Sequence, residues 1–230
     1  MCARLEQQKQ LLVHHTTLLR VLRRWGFRYK KTIFAKEQKR ADVVKRRAQW
    51  RELMKAWSGH QLVFIDESGI NTKMARLYGR SLGAQRCVDH IPYGHWHTNT
   101  FIAALRCDRL TAPMLFDGPM NSETFLEYIT SILIPTLKPG DIVVCDNLSS
   151  HKNKAVIHAL EAVGAKIEYL PAYSPDLNPI EMAFSKIKSF LRAHTPKNFE
   201  EITERLKQAV ESFDKTTCSN LFRHTNYATI

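Results

Sequence analysis

Apolar and polar positions divide the chain into two regions with different periods. Up to about residue 57 apolar side chains recur at helical spacing, and beyond it short apolar runs alternate with helical stretches. In HTTLLRVLRRWGFRYKK, from His15, residues Leu18, Val21, Leu22 and Trp25 fall at i, i+3, i+4 and i+7, with Arg20, Arg23 and Arg24 opposite. This pattern predicts a helix capped by Thr16 and closed by Gly26, equally suited to an ordinary amphipathic helix and to the recognition helix of a helix-turn-helix. A longer basic helix is expected over residues 36–57, with Val43, Trp50, Met54 and Trp57 buried and Arg47 interrupting the stripe. Ser58-Gly59 ends it and marks the expected boundary between an arm, residues 1–60, and a main domain, residues 61–230.

The main domain reads as α/β. LVFID (62–66) is a short apolar run that predicts a strand. Residues 98–106 and 110–116 pattern as a hairpin. Asn121 is placed to cap a helix reaching Leu133, and KPGD (138–141) turns the chain into IVVCD. Ser149 or Ser150 is the expected cap of a helix ended by Gly164. AKIEYL follows as a strand, then the loop PAYSPDLNP and a final pair of helices. LVFID and IVVCD are apolar on both faces, as central strands covered by helices are. Alternation puts Asp66 on the face of Leu62 and Phe64, and Asp146 on that of Ile142 and Val144. Both acids then stand at the carboxyl edge of the sheet, where open α/β sheets bind ligands.

A third acid, Glu181, opens NPIEMAFSKIKSFLR. Asn178, Pro179 and Glu181 have the spacing of an N-x-x-E capping box, which is a purely structural role. The helical period offers another. Ile180, Phe184, Ile187 and Leu191 form one stripe, and Glu181, Ser185, Lys188 and Arg192 line the adjacent one, an acid followed by two cations suited to a metal and a phosphate backbone. Three carboxylates gathered about 5 Å apart, at an effective dielectric near 20, would repel by about 3 kcal/mol per pair. Two Mg²⁺ or Mn²⁺ ions about 4 Å apart reverse that sign and clamp an in-line displacement at phosphorus. A nucleotide hydrolase is excluded for want of a G-x-x-x-x-G-K-[ST] loop. A D-x-D phosphatase is disfavoured because Glu67 and Ser68 follow Asp66.

Charge changes the picture once it is located. The formal net charge is +12, and residues 1–60 carry 16 Lys and Arg against 4 Asp and Glu, so the remainder is balanced. A basic block beside a neutral domain is the footprint of nucleic-acid binding through counterion release; the plainer alternative is a solvated basic helix. No apolar run is long enough to cross a bilayer and no signal-peptide core is present, which leads to the expectation of a cytoplasmic protein without a membrane partner. Five scattered cysteines without a C-x-x-C pair read as reduced thiols.

Five segments together resemble the DDE transposases of the mariner-like superfamily, in its bacterial insertion-sequence branch: FIDESG (64–69), LYGRS (77–81), TFIAAL (100–105), VVCDNLSSHK (143–152) and above all LPAYSPDLNPIE (170–181). Thirty-four residues separate Asp146 from Glu181, the spacing of that branch. The likeness spans residues 60–230. It implies a ribonuclease H-like mixed sheet flanked by helices, with Asp66, Asp146 and Glu181 as catalytic ligands of two Mg²⁺ or Mn²⁺ ions. It further implies cleavage at transposon inverted repeats and strand transfer into double-stranded target DNA, commonly at TA, by a homodimer associated with the bacterial nucleoid. Asn147, His151 and Lys152 fall in the matching motif as supporting or phosphate-contacting residues. His151, Lys152 and Lys154 are expected in a first helical turn, where cations oppose the macrodipole and a phosphate would offset them; local packing is the alternative for His151. Arg20, Arg23, Arg24, Lys188 and Arg192 are the expected DNA contacts, with Arg76 and Arg80 as weaker ones. Glu67 projects to the other face of its strand, which suits a structural role or one supporting the acids, while Tyr173 and Asp176 read as turn and packing residues, with Asp176 a weaker site candidate. The arm resembles the tail of a helix-turn-helix region, shorter than complete family members carry, as in a split or truncated element. A non-catalytic DNA-binding remnant acting as a repressor, or a nuclease without strand transfer, are the rival readings.

Overall fold

A computed structural model describes residues 2–27, 35–76, 78–79, 86–88, 90, 98–148 and 151–227. The chain divides into two compact units, residues 1–36 and 37–230. The smaller contains helices α1 (Cys2–Lys9) and α2 (His15–Arg24). The α2 cap is His14, whose Nδ1 accepts from the Thr16 backbone, so the expected Thr16 cap is displaced by two residues. Leu18, Val21 and Leu22 are half-buried, whereas Trp25, expected to complete the stripe, is 68% exposed.

The larger unit opens with a 3₁₀ turn, Lys36–Lys39, and helix α3 (Ala41–Lys55). The sequence pattern predicts one long helix; the chain breaks at Arg40, whose extended backbone separates turn from helix. Val43, Trp50 and Met54 are buried as their spacing requires, each transfer worth roughly 2–3 kcal/mol before entropy is counted. Trp50 also donates to the Tyr227 hydroxyl at 2.9 Å. This packing makes α3 part of the larger unit, so the division falls at Lys36, ahead of the expected boundary at Ser58-Gly59.

Among the described residues five strands form one sheet in the order β3-β2-β1-β4-β5: β1 (Leu62–Asn71), β2 (Thr98–Leu105), β3 (Leu110–Asp117), β4 (Ile142–Cys145) and β5 (Lys166–Tyr169). β1, β4 and β5 run parallel, and β2 and β3 form the antiparallel hairpin. Two apolar layers cover the sheet, as strands apolar on both faces demand. Leu62, Phe64 and Val144 pack under α6 (Pro179–His194), α7 (Phe199–Glu211) and α8 (Lys215–His224), so three helices rather than two close the chain. Val63, Ile65 and Cys145 pack under α4 (Ser122–Glu127), a π-helical turn (Tyr128–Leu133) and α5 (Lys154–Ala162).

Two further expectations are corrected. The helix from Asn121 is α-helical only to Glu127; the wider π turn brings both Tyr128 and Ile129 into register with buried Leu133, and the Tyr128 hydroxyl bonds the Ala112 carbonyl. The cap of α5 is Asn153, which accepts from the Ala155 backbone; the suggested caps, Ser149 and Ser150, lie outside the described residues. At its other end Gly164 turns the chain at φ +74, where a Cβ would also meet Pro139 at 3.3 Å.

Candidate active site

Strand register brings the two aspartates together. Phe64 pairs with Val144 across parallel β1 and β4, so Asp66 and Asp146 each stand two residues further along neighbouring chains about 4.8 Å apart. Asp66 does not end its strand, as its sequence context implies it should. β1 continues to Asn71, with Asp66 opposite Ala103 of β2, and it is β4 that stops. Glu181 comes from the first turn of α6, which packs on the same face. All three carboxylates line one cleft of about 340 Å³, together with Asn147, Leu148, Asn178 and the loop residues 170–175.

The capping box expected at Asn178 does not form. Asn178 makes no side-chain cap bond; its Nδ2 donates to Asp66 Oδ2 at 2.8 Å. It is 3% exposed, and its Oδ1 has no partner among the described residues. Glu181 is exposed to the cleft and its carboxylate makes no hydrogen bond or ion pair within the described residues, so helix capping does not account for it. Asp66 accepts a second bond from the Glu67 backbone at 2.8 Å. Burial, and then the neighbouring charges of Glu181, Glu67 and Asp146, push its carboxyl up to about 8.

His151 lies ahead of the α5 cap rather than in its first turn, which removes the expected conflict with the macrodipole. It is 1% exposed and stacked on Phe125 with ring centroids 4.2 Å apart, leaving no ring face for a phosphate. Its Nε2 meets Glu67 Oε1 at 2.9 Å, and its Nδ1 approaches Asp146 Oδ1 at 2.7 Å. The second approach is close but poorly aligned for an N–H bond, so we read it as an ion pair. Burial opposes the charge on the ring, but Asp146, Cys145 and Glu67 outweigh it and push the imidazole up to about 12. The imidazolium thus ties carboxylates from the two faces of the sheet, and Tyr169 donates to its carbonyl at 2.9 Å.

The remaining candidates are dispersed. Asn147 lines the cleft, and Lys152 is exposed with its ammonium 6.0 Å from the Tyr169 ring centroid. Lys188 is half-buried and Arg192 exposed along α6. Arg20, Arg23 and Arg24 are exposed on α2 in the smaller unit. Arg76 is exposed, and Arg80 lies outside the described residues. Sequence reasoning gives Asn178 to a helix cap and makes Arg47 a break in a stripe. The structure sets the first on Asp66 and buries the second in a pair with Asp176.

Hard carboxylate oxygens suit Mg²⁺ or Mn²⁺, and a divalent cation would offset the burial and the neighbouring negative charges that raise Asp66. The chemistry of these donors suits such ions, but among the described residues no group of three His, Cys, Asp or Glu side chains is placed to hold one. No helix among the described residues is long and apolar enough to cross a membrane.

The family profile described as DDE superfamily endonuclease matches residues 61–203, more than half of the chain. No curated protein matches. Among solved structures, the Mos1 transposase paired-end complex with left transposon end is similar with a TM-score of 0.73 at 16% identity, covering 98% of this chain and 71% of that one. The Mos1 mariner paired end complex with Mn gives 0.71 at 16%, covering 96% and 70%. The catalytic domain of Mos1 mariner transposase gives 0.61 at 15%, covering 86% and 92%. At these identities the likeness establishes the fold, and the mixed sheet with helices on both faces is the ribonuclease H-like arrangement.

Proposed function

The chain belongs to the DDE superfamily endonucleases, and from that premise we propose that it is an insertion-sequence transposase of the bacterial branch. It cuts DNA at the inverted repeats of its element and joins the freed 3′ ends to target DNA at TA dinucleotides. The observation that carries this reading is the convergence of Asp66, Asp146 and Glu181 on one cleft without a Lys or Arg partner among the described residues. His151 offsets Asp146 from behind, but the side of the three acids that faces the cleft meets no lysine or arginine among the described residues, which leaves a place for a cation.

Asp66, Asp146 and Glu181 would hold two Mg²⁺ or Mn²⁺ ions, as structures of the Mos1 relative with Mg and with Mn support. Bound there, such ions activate an attacking oxygen and stabilise the leaving one in phosphodiester cleavage and transfer. This chain's own residues position the acids. Asn178 fixes one oxygen of Asp66, and His151, anchored by Glu67, restrains Asp146. Asn147 and Lys152 stand at the cleft rim, and Lys188 and Arg192 continue from Glu181 along α6 as contacts for the phosphate backbone. The basic residues of the first sixty supply the DNA-binding charge, with Arg20, Arg23 and Arg24 of the smaller unit neutralising phosphates, while α3 packs within the larger unit. Two ends must be brought together, which supports a homodimer; the Mos1 relatives are paired-end and strand transfer complexes.

The test is cleavage of duplexes carrying the element's inverted repeats in Mg²⁺ or Mn²⁺, followed by joining of the 3′ ends to a second duplex. Cutting without joining would reduce the reading to a nuclease. Binding without cutting under either ion would make the chain a DNA-binding remnant. Replacing Arg20, Arg23 and Arg24 with Gln should make the dependence of binding on log salt shallower, by about 0.9 for each phosphate no longer neutralised.

A further inference from the structure

The proline-rich loop that walls the cleft is held from outside it. Arg47 of α3, 8% exposed, donates from Nη1 to Ser174 Oγ at 2.7 Å and to Asp176 Oδ1 at 2.9 Å, and from Nη2 to Asp176 Oδ2 at 2.6 Å. Gln38, just ahead of α3, donates to the Tyr173 carbonyl at 2.6 Å. Tyr227 accepts from Trp50 and donates to the Leu177 carbonyl at 2.7 Å. Residues 173, 174, 176 and 177 are thus each gripped, directly or through Tyr227, from the α3 side. Within the gripped segment Tyr173 has φ +58. A tyrosine keeps a left-handed backbone only where its surroundings over-determine it. Tyr173, Ser174 and Pro175 line the cleft, and Asn178, three residues after Pro175, bonds Asp66.

We infer that Arg47, acting through Asp176 and Ser174, is a positioning residue for the cleft: α3 clamps the proline-rich loop and so sets Asn178 against Asp66 and the first turn of α6 beside it. The inference rests on the reading of this cleft as the metal-binding and DNA-cleaving site. The bidentate geometry is central to it, because a planar guanidinium forks across both carboxylate oxygens and still reaches the Ser174 hydroxyl, whereas a lysine ammonium is a point charge. Arg47 touches none of the three acids, so its effect passes through the loop. The shared burial of Trp50 and Met54 keeps α3 in place when Arg47 alone is altered.

The experiment compares the full chain with Arg47→Lys, Asp176→Asn, the double variant and Gln38→Ala. It follows amide hydrogen exchange at residues 172–178, calorimetric titration with Mn²⁺, and single-turnover cleavage of inverted-repeat DNA. In Arg47→Lys, exchange in the loop should quicken at least about tenfold. The half-saturating Mn²⁺ concentration should rise about fivefold and the cleavage rate fall about tenfold, with DNA affinity unchanged. The double variant should be no worse than the weaker single one, because both remove the same clamp. Gln38→Ala, at a half-buried position outside the apolar core, should reproduce a smaller loop effect even if Arg47→Lys were to melt early. Loop exchange and Mn²⁺ half-saturation within about twofold of the parent in a cooperatively folded Arg47→Lys or Gln38→Ala would overturn the clamp. A parent chain that takes up no Mn²⁺ and cuts no DNA would instead refute the proposed function, while exchange at residues 172–178 would still decide for or against the clamp.

Discussion

Two aspartates bracket the four-residue strand β4, and the fold treats them in opposite ways. Asp141, at the amino end, is 4% exposed and fully matched: Arg106 donates to both of its oxygens, and the Lys138 backbone donates at 2.7 Å. Asp146, five residues on, opens onto a cleft shared with Asp66 and Glu181, and its charged neighbour is a buried imidazolium that anchors it from behind. Burial with a bidentate guanidinium serves the fold. Partial exposure among like charges is unfavourable for the fold, and under the proposed function it serves a bound cation. The distinction lies in the partners, because both aspartates follow or precede the same apolar run.

Alanine at Asp146 should have the largest effect, a loss of DNA cleavage of about 10³-fold or more, because it removes a ligand that acts only in the reaction. Its thermal midpoint in a melting scan without metal should move little, because relief of repulsion opposes the loss of the pair with His151, which Glu67 still anchors. The opposite pattern is expected of Asp141→Ala, which strands Arg106 in the core and should cost about 3–5 kcal/mol in a urea titration. Combining Arg106→Met with Asp141→Leu should return most of that loss, since an apolar pair of similar volume needs no desolvation of charge. A smaller effect is expected of Glu67→Gln: His151 loses its anchoring charge, and single-turnover cleavage should drop about 10- to 100-fold while DNA affinity holds. The smallest concerns a third kind of acid, Asp176, which its hydrogen bonds from Arg47 hold below the usual carboxylate range. A depressed folded pKa contributes stability above the unfolded value of about 3.9 and loses it as pH falls through the folded value. Arg47→Met should therefore flatten the acid limb of the stability–pH curve below about pH 4, by less than about 1 kcal/mol given the partial exposure of Asp176.

The apolar runs at 62–65 and 142–145 announce central strands because burial on both faces leaves a continuous hydrophobic signature that needs no knowledge of partners. Asp66 and Asp146 are legible for the same reason, being the first charges after those runs. The extension of β1 to Asn71 is not legible, since Glu67, Ser68, Gly69 and Asn71 are poor strand formers that pair only because β2 lies alongside. Arg47 and Asn178 escape for a related reason. Local spacing assigns a polar side chain to its nearest helical duty, but Arg47 bonds a residue 129 positions away and Asn178 one 112 positions away. Long-range polar pairing leaves no periodic trace, so sequence pattern alone makes these residues a defect in a stripe and a cap.

The unequal lengths of β1 and β4 bear on how the cleft would adapt during a reaction. Asp66 sits mid-strand, with hydrogen-bonded chain on either side, and acts as a stationary reference. Asp146 lies just past a strand terminus and is held by its imidazolium anchor and by the Leu148 backbone, which donates to its Oδ1 at 3.2 Å. If the chain joins two duplexes as proposed, the second would be accommodated by adjustment on the Asp146 side, with the β1 side as the fixed wall.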